Sequence, residues 1–246
     1  MSTVDASQFS VDAYGALLAE LVGQGYRVVN FGDVDPAARH LVLRHDVDVS
    51  LALAVELAEV EHALGYASHF FVLVTSEQYN PATQVSRKAL RHIISLGHQV
   101  GLHFDAALGS SEENTETLET RAATEANYLS HLAGAAVSML SFHRPAAKWI
   151  NNPASLAGLP HSYQPRYFSE MGYCSDSKGG WWRGAPLEHD AVEAGGALQL
   201  LTHPIWWVGA NRSPARRLAD HLSDRQSELT DDLYANVVVS PEAESS

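Results

Sequence analysis

Six residues with acid, base or ligand chemistry sit where apolar runs end. They are Asp46 and Asp48 in "LVLRHDVDVS", His103 and Asp105 in "HQVGLHFD", His143 in "VSMLSFHRP" and His203 in "LQLLTHPIWW". Burying such groups is costly unless each charge has a partner. A shared cation is one partner that would serve several of them. His and Asp ligands with an open coordination position make a hydrolytic, zinc-type site. A further carboxylate can take a proton from water, and a further imidazole can protonate a leaving group. The expected cofactor is one divalent ion, zinc first. Cobalt, iron or manganese fit the same ligand types.

Positioning these residues requires strands. Side chains alternate faces along a strand. Val42, Arg44, Asp46 and Asp48 then share one face, and Leu41, Leu43 and His45 the other. Gln99, Gly101, His103 and Asp105 align, as do Ser141 with His143, and Gln199 and Leu201 with His203. The strands alternate with helical patterns: "SLALAVELAEVEHALG" with Ser50 as N-cap, "NPATQVSRKALRHIISLG", and "NTETLETRAATEANYLSHLAG". Strand–helix alternation implies parallel strands with right-handed crossovers. The expected fold is α/β, a distorted (β/α) barrel with about seven parallel strands. Active sites of such folds lie at the C-terminal strand ends, where the polar residues fall.

After Pro145 the pattern weakens. Short strands are expected near "SYQPRYF" and "GYCSDS", a strand through "ALQLLTHPIWW", and a last helix over "SPARRLADHLSDRQSELTDDLY". The chain is read as a single catalytic domain over 1–246. An N-terminal helix and strand occupy 1–35, and a flexible tail 240–246.

Composition narrows the partners. Apolar residues make up 46% and charged residues 18%, which suits a globular protein. The formal net charge of −13 argues against nucleic acid, whose phosphates need Lys and Arg clusters. The single cysteine excludes an internal disulfide. No apolar stretch is long enough to span a bilayer. The opening "MSTVDASQFSVDAYG" does not read as a signal peptide, so a cytoplasmic location is expected.

At this point the motifs resemble those of the polysaccharide deacetylases, the NodB-like carbohydrate esterases of family 4, over roughly residues 40 to 207. "RHDVD" is similar to their paired-Asp motif with one residue between the two Asp. "GHQVGLH", "FHRP", "SDS" followed by "GGWW", and "LLTHP" are similar to their later motifs. The resemblance implies Asp46 as general base, Asp48 and His103 as metal ligands, and Arg144 orienting the base. It further implies His203 as general acid or oxyanion helper, with Asp176 and a Trp supporting the site. It departs from the family where a second metal His is usual four residues after the first. Ala107 stands there. His143 is then the first choice for a third ligand, since parity turns it inward, and Asp105 the alternative or a supporting partner. Trp182 and Trp206 are candidate sugar-stacking residues, although each of the two Trp pairs could equally be core.

The expected activity is metal-dependent hydrolysis of a linear amide, removing an N-acyl group, N-acetyl first, from a small-molecule or lipid-linked amino sugar. Two alternatives stand beside it. One is hydrolysis of another C–N bond, in a ureide or natural-product intermediate. The other is a non-catalytic carbohydrate binder whose metal site has decayed. Bland readings also exist: Asp46 and Asp48 as helix caps or partners of Arg44, His45 as a satisfied core histidine, and Asp176 as a turn residue.

Overall fold

The structure is a computed structural model, which describes residues 9–108, 115–182 and 184–237. The expected tail at 240–246 lies outside them. The chain divides into two compact units, residues 1–211 and 212–246.

The first unit opens with helix α1 (Val11–Gly23), N-capped by the Ser10 hydroxyl, and a two-residue strand β1 (Arg27–Val28). Strand β2 (His40–Val47) is buried along its whole length. Helix α2 (Leu51–Ala63) follows, with Ser50 Oγ accepting from Leu53 N at 3.4 Å. Then come β3 (His69–Val72), α3 (Gln84–Ser95), β4 (Gln99–Phe104), α4 (Thr115–Ala133) and β5 (Leu140–Phe142). Helix α3 starts at Thr83, whose Oγ1 accepts from Ser86 N, three residues later than Asn80-Pro81 suggested. Gly65 and Gly97 end the α2 and α3 segments with φ of 79° and 95°, a left-handed turn that glycine adopts without strain.

The remainder holds α5 (Pro165–Phe168), β6 (Gly172–Ser175), α6 (Asp190–Ala194), β7 (Leu198–Thr202) and α7 (Pro204–Trp207). Two expectations are corrected here. "SYQPRYF" is not a strand but leads into α5, and "PIWW" is not the end of a strand but α7. Both helices begin with proline at the first position, where the missing N–H is not needed and the fixed φ suits a helix.

All strand pairings are parallel, in the order β5-β4-β3-β2-β7-β6, with β1 beside the start of β2. A further parallel bridge joins Leu140 to His161 beyond β5. The sheet curls into a half-barrel with helices around it, a distorted (β/α) barrel. Register fixes what faces inward. Arg44 pairs with Leu201, Asp46 with Phe71, Phe71 with Gly101, and His103 with Ser141. The outward residues Leu41, Leu43, Phe70, Leu102, Phe142, Leu198 and Leu200 form the main core under the helices. A smaller cluster, including Phe31, Val42, Phe71, Met139 and Ala197, fills the inner face toward the strand starts. The polar inward residues therefore lie above an apolar floor.

The second unit is helix α8 (Pro214–Asn236) with its leading turn. Arg212 and Arg216 both pair with Asp220, at 3.1 and 3.0 Å, and Arg225 pairs with Glu228 at 2.9 Å. No described helix is long and apolar enough to cross a membrane.

Candidate metal and hydrolytic site

The site residues occupy the last inward position of a strand or the first residue beyond it. Asp46 and His103 are the last inward residues of β2 and β4. Asp48, Asp105, His143, Asp176 and His203 follow just after β2, β4, β5, β6 and β7. Parallel register brings these ends to one rim.

Asp48, His103 and His143 meet there. Their ligand atoms all lie within 4.8 Å of one another. His103 Nε2 is 3.0 Å from Asp48 Oδ1, and His143 Nδ1 is 3.2 Å from both Asp48 Oδ1 and His103 Nε2. Two imidazole nitrogens and a carboxylate oxygen facing one small volume are the donor set of a three-ligand site with an open position. Two ring nitrogens face each other across 3.2 Å. They need a proton or a cation between them, so the donors fit a divalent ion. His103 Nδ1 is buried and without a hydrogen-bond partner among the described residues. Burial works to raise the Asp48 pKa, but hydrogen bonds from His103 and His143 hold it well below the carboxylate range. His143 is raised in turn, chiefly by its bond to Asp48.

Asp46 stands beside this group, its Oδ2 3.6 Å from His103 Nε2. Both its oxygens are gripped by Arg44, with Nε donating to Oδ1 at 2.9 Å and Nη2 to Oδ2 at 2.7 Å. Arg44 is fully buried. It also donates to Gln199 Oε1 at 3.1 Å, to Tyr163 Oη at 3.3 Å and to Ser141 Oγ. Burial works to raise the Asp46 pKa, but Arg44, followed by His103, holds it below the usual value.

The expectation that Arg144 orients Asp46 is corrected. Arg144 is mostly exposed and donates to Asp105. Arg44 is two residues from Asp46 on the same strand face and holds it in a bidentate fork. Asp105 is thereby committed: it takes Arg144 and the backbone N–H of Ala107, and stands outside the Asp48–His103–His143 group. Of the two candidates for a third ligand, His143 is the one that stands with Asp48 and His103.

On the opposite side, Asp176 is fully buried and takes His203 Nδ1–H at 2.6 Å, the His203 backbone N–H at 3.0 Å and Trp207 Nε1–H at 2.7 Å. This fixes the tautomer, leaving His203 Nε2 3.8 Å from Asp48 Oδ2. Burial works to lower the His203 pKa, but Asp176, joined by Asp48 and Asp46, pushes it up to about 9.

A cavity of about 600 Å³ opens over these groups. Asp46, His143 and His203 line it, together with Ile150, Tyr163, Phe168, Tyr173, Leu201 and Trp182. Lys178 is the one Lys or Arg on its described wall. Trp182 is 74% exposed and part of the wall. Trp206 is not: it lies in the main core, so its assignment to substrate binding is corrected. The α7 turn carries it inward, while its neighbour Trp207 reaches Asp176.

The pairing of Asp46 with Arg44, one of the bland readings of the sequence, is present. One feature was missed in the sequence: a buried network behind β2. His45 Nε2 meets Glu61 Oε1 at 2.9 Å, and His45 Nδ1 meets Thr202 Oγ1 at 2.8 Å. Tyr14 and Ser68 donate to Glu61 as well. Its signal was present: Leu51, Ala54, Leu57, Ala58 and Glu61 follow the spacing of one buried helix face.

No family model matches the chain, and no curated protein matches it. Among solved structures it is similar to a Streptococcus pyogenes deacetylase in complex with acetate, at 12% identity and TM-score 0.45, covering 85% of each chain. It is similar to a family 4 acetyl xylan esterase from Clostridium thermocellum in complex with a cobalt ion, at 14% identity and TM-score 0.41, covering 76% of this chain and 84% of that one. A family 4 carbohydrate esterase pseudoenzyme from Bacillus anthracis is similar at 12% identity and TM-score 0.42, covering 81% and 68%. The chemistry of the site rests on this chain's own groups.

Proposed function

We propose that the protein is a metal-dependent amide hydrolase that removes an N-acyl group, N-acetyl first, from an amino sugar or related small molecule. One observation carries this reading: the donors of Asp48, His103 and His143 converge beside an ionised Asp46 and across from the Asp176–His203 pair. Asp48, His103 and His143 would hold the ion. When bound, a divalent ion polarises a carbonyl and makes a water more acidic.

The remaining work falls to side chains. Arg44 keeps Asp46 ionised and immobile, so an Asp46 oxygen is poised to take a proton from water. A carboxylate of lowered pKa is a weak base, and it is adequate where the water is acidified. His203 holds a proton at Nε2 at neutral pH and stands across the cavity to give it to the departing amine. Asp176 keeps that imidazole charged and, once Nε2 has given up its proton, holds the remaining one at Nδ1. Cavity size suits a small ligand. Its wall of Tyr163, Phe168, Tyr173 and Trp182 suits the apolar C–H faces of a sugar ring.

The test is elemental analysis of the purified protein together with amine release from a panel of N-acetyl and N-formyl amino sugars and ureides. Wild type is expected to carry about one divalent ion per chain and to release amine from the acylated sugars. Asp48→Ala and His103→Ala are expected to lose the ion and at least ~10²-fold in kcat/KM. Preference for ureides would move the substrate class. Activity that survives both substitutions and full removal of metal would overturn the proposal.

A further inference from the structure

Behind β2, side chains from several elements of the first unit converge on one carboxylate. Glu61 of α2 takes Tyr14 Oη of α1 and Ser68 Oγ ahead of β3, and meets His45 Nε2 of β2 at 2.9 Å. His45 in turn meets Thr202 Oγ1 of β7 at 2.8 Å. Glu61, His45 and Thr202 are fully buried, so none of them binds a substrate. A buried charged network contributes little stability that well-packed apolar side chains would not, but its hydrogen bonds fix distance and direction.

The place of the His45–Thr202 bond says what it fixes. On the outward face of β2 and β7 the paired rungs are Leu41 with Leu198, Leu43 with Leu200, and His45 with Thr202. Two apolar rungs are followed by one joined through a hydrogen bond, and that rung is the last. Strand β7 ends at Thr202, and His203 is the N-cap of α7. Strand β2 runs on, with Asp46 paired to Phe71 of β3. The two strands part at this rung, and the very next residues are Asp46 and His203. A second path leads from Glu61 to the same imidazole. The ring of Tyr14 lies edge-on to Trp207, with centroids 5.2 Å apart. Trp207 Nε1 donates to Asp176, which takes His203 Nδ1–H.

We propose that Glu61, His45 and Thr202 are positioning residues for the hydrolytic site: Glu61 orients the His45 ring, and the His45–Thr202 bond sets the spacing between Asp46 and His203. The inference rests on the hydrolytic reading for the reaction that this spacing serves. Thr202 carries the test, because Glu61→Gln would set an amide N–H₂ against buried donors and disturb the core. Thr202→Val keeps the shape and removes the hydroxyl, while Thr202→Ser keeps the hydroxyl and loses a methyl group. On the acylated sugar that the wild type hydrolyses best, Thr202→Val is expected to lower kcat about 10- to 100-fold. KM, bound metal and circular dichroism should stay as in the wild type. Thr202→Ser is expected to melt at a lower temperature than the wild type and yet keep most of its kcat. A merely structural role would make kcat follow stability through both variants. The proton of the His203–Asp176 hydrogen bond, seen by NMR on the full chain and assigned by its loss in His203→Gln, reads the same geometry without turnover. It is expected to shift in Thr202→Val and to stay in place in Thr202→Ser. Should the wild type release no amine, the hydrolytic reading falls and this proton signal alone decides the spacing. Wild-type kcat in Thr202→Val overturns the proposal. So does an equal loss of kcat in Thr202→Ser, or a proton signal that does not move in Thr202→Val.

Discussion

Arg44 and Asp176 set the charge of Asp46 and His203. Arg44 is the only cation within a salt-bridge distance of Asp46 besides the histidines among the described residues, and both are buried. Removing a buried charge while its partner stays is costly, so Arg44→Met is expected to lose about 3–5 kcal/mol of stability in urea unfolding. A loss under 1 kcal/mol would show that Asp46 finds another partner. Asp176 acts on His203. With Asn in its place, the main cause of the raised imidazole pKa is gone. The alkaline limb of the pH–kcat profile, set by a group pushed up to about 9, should move to lower pH. An unmoved limb in Asp176→Asn would take His203 out of the role of proton donor. Residue types and spacing in the sequence disclosed Asp46, Asp48, His103, His143 and His203. They offered Arg44 as a partner of Asp46 and Arg144 as its orienter without deciding between them, because parity puts Arg44 on that face without saying how far a guanidinium reaches.

At the scale of elements, the rim depends on β4 lying close to its neighbours. Gly101 shares the inward face with His103. A Cβ there would come within 2.5 Å of the Phe71 ring and 3.1 Å of the Met139 carbonyl oxygen. Gly101→Ala is therefore expected to cost about 1–3 kcal/mol in thermal or urea unfolding, and to lower metal affinity by shifting His103. Wild-type stability and metal binding in this variant would mean that Phe71 turns aside freely. The alternation of β2 and β4 was legible because both faces are consistent over several residues. The segment after Pro145 was not. Its elements are short, and proline at the first position of α5 and α7 starts a helical turn inside runs that read as strand. The α7 turn carries Trp206 into the core, while Trp182 stands at the cavity.

For the whole molecule, buried histidines set the acid limit. Burial lowers the pKa values of His69 and His161 from 6.5 to about 4. The unfolded chain then binds more protons than the folded one between those values. Their contribution is fully present above about pH 6.5 and is lost as pH falls toward 4. His203 has the opposite sign: raised to about 9, its contribution is full below about 6.5 and is lost as pH rises through 9. Stability should therefore peak near pH 6.5. The melting temperature is expected to fall by on the order of 5–10 °C between pH 6.5 and 4. His69→Phe should flatten part of that slope, and a flat profile down to pH 4 in the wild type would contradict it.

The amino-acid sequence by itself determined the alternation of strands and helices, the polar face of each strand, and the set of acids and imidazoles gathered at the strand ends. Those follow from period and residue type, which are local. Tertiary structure alone decided which of these groups touch. His143 rather than Asp105 joins Asp48 and His103, Asp105 goes to Arg144, and Glu61 is buried against His45 behind β2. The reason is physical. Periodicity fixes the face on which a side chain stands, while strand register and curvature fix its distance from groups a hundred residues away, and electrostatic pairing depends on distance.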